Sequence, residues 1–169
     1  MERTWILVGM MGAGKSSIGR LLAERAGRDF VDTDNLLVRR LGRSIPQIFS
    51  LYGEQAFRDH ETSILRGLAP EAFVLATGGG TVLRSENWAE LHRLGTTIYL
   101  QASASTLVER LERTRTRRPL LAADDWTQRI EAILRDRHAI YRNADLTVAV
   151  DGMTADETTE AILRAVTAL

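Results

Sequence analysis

The chain of 169 residues contains no cysteine, three prolines, three histidines and a single lysine, Lys15. The absence of cysteine excludes disulfides, thiol catalysis and cysteine-ligated metal centres. The three histidines are scattered, at positions 60, 92 and 138, which argues against a histidine-rich metal site. No apolar run is long enough to span a membrane, so we expect a soluble, cytoplasmic protein that does not bind membranes.

Neither positive nor negative charge is in excess. The chain has 22 basic and 22 acidic residues, which give a formal net charge of zero. Proteins that coat nucleic acid carry a net positive charge, so the composition argues against a nucleic-acid partner. Charged residues make up 26% of the chain and apolar residues 44%, as in an ordinary globular domain. We expect one domain over residues 1–169.

Short apolar runs alternate with helical patterns along the whole chain. This alternation predicts a parallel sheet with helices on both faces, a three-layer α/β/α architecture. Strands are predicted at 4–8, 30–32, 72–77, 96–101 and 146–150, which makes a central sheet of five strands. Helices are predicted at 15–26, 35–41, 46–68 with a break near Gly53, 86–94, 105–113, 126–142, and 155–168 with Thr154 as its cap.

A phosphate-binding motif lies between the first predicted strand and helix. Residues 9–16, Gly-Met-Met-Gly-Ala-Gly-Lys-Ser, fit G-x-x-x-x-G-K-[ST]. Its glycines allow backbone N–H groups to turn toward an anion at the helix N-terminus. We expect Lys15 to reach the β- and γ-phosphates of a nucleotide and Ser16 to ligate Mg²⁺. The alternative, a glycine-rich turn with a chance lysine, does not account for the strand and helix around it.

Two aspartates, Asp32 and Asp34, directly follow the second predicted strand. In a parallel sheet this is the carboxyl edge, where ligands bind. Residues two apart on a strand point the same way, so we expect Asp32 to face Mg²⁺ and its waters and Asp34 a substrate hydroxyl. The alternative is that Asp34 only caps the following helix.

Two further patterns indicate a second ligand. Arg58 and Glu61 are three apart on a predicted helix and can pair, although an ordinary surface ion pair is the simpler interpretation of these two residues alone. Gly78, Gly79 and Gly80 follow a buried strand. Three glycines there predict an exposed backbone loop that a ligand approaches closely, whereas a plain turn rarely needs three.

Five arginines crowd residues 110–118. They could form a solvated helix end, a nucleic-acid patch or a mobile lid over the nucleotide, at about 112–125. Zero net charge and few nearby aromatics weaken the second interpretation. Phosphoryl transfer needs positive charge delivered in a site closed to water, which favours the lid.

The segments GMMGAGKSS, DTD, SIPQIFSLYGEQAFRDHE, LATGGG, RRPLL and RHAIY, in this order, resemble the shikimate kinase family over almost the whole chain. The phosphate loop alone would not distinguish this family from gluconate, adenylate or cytidylate kinases. The resemblance implies a P-loop kinase fold of the nucleoside-monophosphate-kinase type. It also implies ATP-dependent phosphorylation of the 3-hydroxyl of shikimate, in aromatic amino-acid synthesis. We expect a monomer that uses Mg²⁺.

The resemblance further implies roles for single residues. Lys15, Asp34 and Arg118 would be catalytic, and Ser16 and Asp32 would hold the metal. ATP would contact Gly12, Ala13, Gly14, Lys15, Ser16, Ser17, Arg113 and Arg118. Shikimate would bind in the helical region at about 33–61 and nearby, through Asp34, Phe49, Phe57, Arg58, Glu61, Gly78, Gly79, Gly80 and Arg137. In this scheme Arg58 and Arg137 clamp the carboxylate, and Glu61 orients Arg58.

Several alternatives stay open at the level of sequence. Arg113 fits the family's adenine-stacking arginine better than Arg110, but the alignment needs a gap there. Arg117 could share the lid role of Arg118, and Asp34 could be a base or a positioning group. The rival functions are another small-molecule kinase such as a gluconate kinase, a nucleotide-binding regulator without turnover, and a nucleic-acid module based on residues 110–118.

Overall fold

A five-stranded parallel sheet forms the centre of the computed structural model, which describes residues 3–113 and 124–169. Its strands lie in the order β2-β3-β1-β4-β5, and all four neighbouring pairs are parallel. The predicted sheet is therefore confirmed. The strands are β1 (Thr4–Val8), β2 (Asp29–Asp32), β3 (Phe73–Ala76), β4 (Gly95–Gln101) and β5 (Leu146–Ala149).

The predicted helices are also present, with bounds that differ from the expected ones by one or two residues. A short 3₁₀ helix, Thr81–Leu83, was not predicted. Arg117, Arg118 and most of the predicted lid lie outside the described residues. The helices are α1 (Lys15–Ala26), α2 (Thr33–Leu41), α3 (Ile45–Gly67), α4 (Ser85–Leu94), α5 (Ala104–Glu112), α6 (Trp126–Tyr141) and α7 (Ala155–Thr167).

Local sequence signals account for several helix boundaries. Thr154 caps α7 as predicted: Thr154 Oγ1 accepts from the Glu157 amide at 3.2 Å, and Glu157 Oε2 accepts from the Thr154 amide at 2.8 Å. The predicted break in α3 is also confirmed, because Gly53 has φ 78°, outside the helical region. No helix among residues 3–113 and 124–169 is both long and apolar enough to cross a membrane.

The main core lies on both faces of β1, β3 and β4. Residues such as Leu7, Leu75 and Leu100 are fully buried, which explains why these strands read as nearly continuous apolar runs. A second, smaller cluster joins α2 to α3 and consists of Leu37, Ile48, Phe57 and Ile64. It fixes the two helices to each other at the side of the sheet where β2 ends.

Two tyrosines pack α6 against β4. The rings of Tyr99 and Tyr141 are stacked, with centroids 5.0 Å apart. Tyr141 donates its hydroxyl hydrogen to the Gly79 carbonyl oxygen at 2.7 Å, whereas the Tyr99 hydroxyl is buried with no hydrogen-bond partner among the described residues. Burial, with a smaller contribution from Tyr141, raises the pKa of Tyr99 to about 12.

We expect Tyr99→Phe to keep or raise the free energy of unfolding at pH 7, by up to about 1 kcal/mol, because it removes a buried, unpaired hydroxyl. Tyr99 ionises less readily in the folded chain than in the unfolded one. Ionisation of Tyr99 therefore has no effect on stability well below pH 10 and lowers the free energy of unfolding as the pH rises toward 12. Urea unfolding at pH 7, 9 and 11 should show a shallower alkaline loss for the variant.

Tyr141→Phe is the matched control for this prediction. It removes a hydroxyl that is hydrogen-bonded, so it should lower stability at pH 7 by about 1–3 kcal/mol. Equal destabilisation by both substitutions would contradict our account of the Tyr99 hydroxyl.

Candidate functional site

A cleft of about 350 Å³ opens beside the carboxyl ends of β1, β2 and β3. This is the edge at which ligands bind in open parallel sheets. The cleft brings together the phosphate loop, both aspartates and part of the glycine run. Its walls include Gly12, Gly14, Lys15, Ser16, Ser17, Asp32, Asp34, Gly78, Gly79 and Arg110.

The phosphate loop wraps around the ammonium of Lys15. Lys15 Nζ donates to the carbonyl oxygens of Gly9 at 2.7 Å and Met10 at 2.9 Å, and the side chain is buried. Gly12 and Gly14 have φ of 83° and 98°, which side-chain-bearing residues rarely adopt. The loop thus has the geometry of an anion-binding turn at the N-terminus of α1, with the ammonium of Lys15 inside it.

Ser16 and Asp32 meet at the floor of the cleft, where Ser16 Oγ donates to Asp32 Oδ2 at 2.8 Å. Both are oxygen ligands of the kind Mg²⁺ prefers, so the pair fits the predicted metal position. Among residues 3–113 and 124–169 no cluster of three or more His, Cys, Asp or Glu side chains could hold an ion. An ion here would therefore need oxygens from a nucleotide as well.

Asp32, rather than Asp34, caps α2. Asp32 Oδ1 accepts from the amides of Asp34 at 2.9 Å and Asn35 at 3.3 Å, so the alternative role given to Asp34 is wrong. Asp34 belongs to α2 and not to a strand. The expectation that the two carboxylates point the same way because side chains alternate along a strand is therefore wrong. Asp34 Oδ1 faces the glycine run, 3.0 Å from where a side chain on Gly78 would begin.

Arg58 and Glu61 form a buried ion pair. Arg58 Nη1 donates to Glu61 Oε2 at 2.6 Å, and the side chains are 14% and 1% exposed, so the surface-pair interpretation is wrong. The other oxygen, Glu61 Oε1, accepts from Thr81 Oγ1 at 2.8 Å. Arg58 Nη2 is 3.3 Å from the exposed Glu54. The guanidinium is therefore held by two carboxylates of its own helix and lies against Gly80.

The glycine run, residues 78–80, was predicted to be exposed to a ligand, but the structure gives a different reason for its composition. Gly78 and Gly80 are buried, so the expected exposed loop is wrong at both positions, and none of the three glycines has a positive φ. A Cβ on Gly78 would lie 2.8 Å from Glu61 Oε1, and one on Gly80 would overlap the Arg58 guanidinium. Gly78 and Gly80 lack side chains because those of Glu61 and Arg58 occupy the space, whereas Gly79 packs against the backbone of the phosphate loop.

A second guanidinium reaches the glycine run from α6. Arg137 Nη1 donates to the Gly79 carbonyl oxygen at 3.3 Å, beside the bond from Tyr141. Burial raises the pKa of Tyr141, while the nearby charges of Arg137 and Arg58 oppose this rise. Tyr141 was not among the predicted site residues. Its position four residues after Arg137 on the same helix was the available signal that the two side chains share one face.

Two phenylalanines form a small aromatic surface next to Arg58. The rings of Phe49 and Phe57 are stacked with centroids 4.3 Å apart, and the Arg58 guanidinium carbon lies 5.3 Å from the Phe57 ring. Phe57 is buried and Phe49 is 36% exposed. The structure therefore brings these two predicted substrate-binding residues together, with the Phe57 ring in the core cluster and the Phe49 ring open to solvent.

The structure brings Arg110 to the cleft and leaves Arg113 at the surface. Arg110 donates to the carbonyl oxygens of Ala13 at 3.0 Å and Val150 at 3.3 Å. Arg113, by contrast, is 77% exposed and pairs with Glu109. Of the two arginines considered for the adenine, Arg110 is thus the one that lies between the phosphate loop and the loop after β5.

Comparison with known proteins agrees with this geometry. The shikimate kinase family model matches residues 11–167. The chain belongs to the shikimate kinase family. A shikimate kinase of Thermodesulfovibrio yellowstonii is 41% identical over 160 residues, which cover 94% of this chain and 92% of that protein.

Solved structures place the fold in the same family. Shikimate kinase from Acinetobacter baumannii in complex with shikimate superposes with a TM-score of 0.93 at 36% identity, over 99% of this chain and 94% of the other. A gluconokinase from Sinorhizobium meliloti superposes with a TM-score of 0.63 at 23% identity, over 98% of this chain and 92% of that one, and so shares the fold alone.

We expect Gly80→Ala to displace the Arg58 guanidinium, because the new Cβ would overlap it. The distance between Arg58 and Glu61 in their ion pair would then increase, which should lower the free energy of unfolding by about 1–3 kcal/mol. A crystal structure of the variant would show the shift directly. Gly67→Ala is the control, since its Cβ would meet nothing within 4 Å; an unmoved Arg58 in Gly80→Ala would contradict the prediction.

Proposed function

We propose that this cleft transfers the γ-phosphoryl group of ATP to the 3-hydroxyl of shikimate, giving shikimate 3-phosphate and ADP for aromatic amino-acid synthesis. The observation that carries this proposal is the arrangement of two guanidiniums, from Arg58 and Arg137, around the glycine run beside the phosphate loop. Such an arrangement suits an acceptor that carries a carboxylate.

The nucleotide half of the site is the loop of residues 9–16 and the start of α1. In this proposal the backbone amides of Gly12, Ala13 and Gly14 and the side chains of Ser16 and Ser17 surround the phosphates. Lys15, already fixed by two carbonyl oxygens, places its charge next to the transferred group. Ser16 and Asp32 would hold Mg²⁺, Asp32 through water. When bound, the ion neutralises charge on the β- and γ-phosphate oxygens.

The acceptor half lies between α2, α3, α6 and the glycine run. Arg58 and Arg137 bind the carboxylate of shikimate, with Arg58 oriented by Glu61. The hydroxyl-bearing ring then lies along the aromatic surface of Phe49 and Phe57. Gly79 and Gly80 offer backbone donors on one side, and Gly78 leaves room for Asp34 on the other.

Asp34 orients the attacking hydroxyl and can accept its proton. Its carboxylate faces the cleft from the first turn of α2, on the same side as the phosphate loop. Phosphoryl transfer proceeds through a loose transition state that asks little of a base. We therefore assign Asp34 chiefly a positioning role, with proton acceptance following as the phosphoryl group arrives.

The remaining nucleotide contacts involve the arginine-rich stretch. We propose that Arg110, in place of Arg113, lies against the adenine, because it bridges the phosphate loop and Val150. Arg118, and Arg117 beside it, keep their proposed roles on the transferred phosphoryl group.

All proposed contacts come from one chain and both substrates are small and water-soluble, so we propose a cytoplasmic monomer. Sedimentation at micromolar concentration tests the monomeric state.

The first test is ADP release with Mg-ATP and shikimate, gluconate, AMP and CMP as parallel acceptors. Turnover with shikimate alone supports the proposed acceptor half. Turnover with another acceptor in place of shikimate would keep the phosphate loop and overturn the assignment of Arg58 and Arg137. ATP binding without turnover on any acceptor would favour a nucleotide-binding regulator.

We expect Arg58→Ala to raise KM for shikimate about 100-fold or more while KM for ATP changes less than about threefold, because it removes one carboxylate ligand. Arg66→Ala is the matched control on the same helix: Arg66 is 57% exposed and pairs with surface glutamates. Steady-state kinetics with each substrate varied would decide. Equal effects on both KM values would exclude the clamp role.

We expect Lys15→Ala to lower kcat by about 100-fold or more, because it removes the charge fixed beside the transferred phosphoryl group. Circular dichroism should show that α1 and the sheet persist. Arg20→Ala, an exposed cation on the same helix, should leave kcat within about twofold of the unsubstituted chain. A near-normal kcat for Lys15→Ala would exclude Lys15 from catalysis.

A further inference from the structure

Behind Arg58 lies a buried polar network that the proposed function leaves unexplained. Thr81, at the start of the 3₁₀ helix, is 1% exposed and donates its Oγ1 hydrogen to Glu61 Oε1 at 2.8 Å. Arg58 donates to the other oxygen, Glu61 Oε2, at 2.6 Å. Each carboxylate oxygen of Glu61 therefore has a donor of its own. Two donors on opposite oxygens fix the rotation of the carboxylate, and so the direction in which it holds Arg58.

A second hydrogen-bonded pair holds Thr81 in place from α4. Asn87 Nδ2 donates to the Thr81 carbonyl oxygen at 2.7 Å, and Asn87 Oδ1 accepts from Thr62 Oγ1 at 2.8 Å. Asn87 is fully buried and Thr62 is 3% exposed. A buried donor or acceptor that is left unpaired lowers the free energy of unfolding. The arrangement in which all these groups are paired is therefore strongly favoured. The position of the Thr81 hydroxyl is thus set by α3 and α4 together.

We propose that Thr81 is a positioning residue for the acceptor carboxylate, acting through Glu61 on the guanidinium of Arg58. The proposal rests on the proposed function, in which Arg58 binds that carboxylate. Without the Thr81 hydroxyl, Glu61 Oε1 lacks this donor, and the carboxylate is free to rotate and share both oxygens with Arg58. The guanidinium then turns with it and presents fewer hydrogens to the acceptor. The hydrogen bonds of this network join α3, α4 and the 3₁₀ helix, so we expect the nucleotide half to be unaffected.

The test is Thr81→Val, which removes the hydroxyl and keeps the volume. We expect the shikimate Kd, measured by calorimetry, and the shikimate KM to rise about tenfold, with KM for ATP within about twofold. Thr159→Val in α7 is the matched control. Thr159 is also fully buried and loses one hydroxyl-to-carbonyl bond, to Ala155 at 2.7 Å, but it lies outside the cleft. It should affect stability alone.

A double-mutant cycle with Arg58→Ala shows whether Thr81 acts through Arg58. In that background Thr81→Val should change the shikimate Kd less than about twofold, since the group it positions is gone. An equal effect in both backgrounds, or an unchanged Kd for Thr81→Val alone, overturns the proposal. If Thr81→Val does not fold, Thr81→Ser and Thr81→Ala replace it, and only the serine variant should keep normal shikimate binding.

These outcomes are separate from failure of the proposed function. If the unsubstituted chain does not phosphorylate shikimate, the proposed function fails and this inference fails with it. If it does, and Arg58→Ala weakens shikimate binding while Thr81→Val does not, then only the role of Thr81 is lost.

Discussion

The site depends on one steric constraint, which is that residues 78–80 carry no side chains. Three separate elements converge there: Arg58 and Glu61 from α3, Asp34 from α2, and the backbone of Met11 from the phosphate loop. At Gly78 and Gly80 this approach requires glycine even though φ is ordinary, because a Cβ would lie 2.8 Å from Glu61 Oε1 at the first position and would overlap the Arg58 guanidinium at the second. The constraint sets how near the acceptor residues can come to the nucleotide loop, and thus the distance over which a phosphoryl group passes.

The same constraint explains why a charged pair can be buried at this point. Glu61 is almost fully inaccessible, and a buried carboxylate is tolerated only when its oxygens are well paired. Arg58 and Thr81 supply those partners, and the glycine run leaves room for both. In the proposed function the ion pair contributes by fixing the direction of the Arg58 guanidinium. A guanidinium whose orientation is fixed in advance loses little freedom when it binds a carboxylate.

Much of the fold could be predicted from the sequence because its signals are local. The apolar runs of the strands, the Gly53 break and the Thr154 cap each act within a few residues, and each is confirmed. That Asp32 rather than Asp34 caps α2 could not be predicted, since both spacings are compatible with a cap. The burial of the glycine run and of Arg58 with Glu61 depends on contacts between α3 and the loop after β3. These residues are about 20 apart in sequence, beyond the reach of any periodicity.

The use of one lysine among 22 basic residues follows from what each cation must touch. Arg110 and Arg137 direct planar N–H groups at carbonyl oxygens on other segments of the chain, and Arg58 directs them at a carboxylate of its own helix. Lys15 instead lies inside a single tight loop, where two carbonyl oxygens approach one nitrogen at 2.7 and 2.9 Å. A compact ammonium fits between them, whereas a guanidinium would spread its charge over a wider plane. In the proposed function, arginine therefore suits the acceptor, whose carboxylate can accept two parallel hydrogen bonds from one guanidinium. Lysine suits the phosphate, which needs a compact point charge.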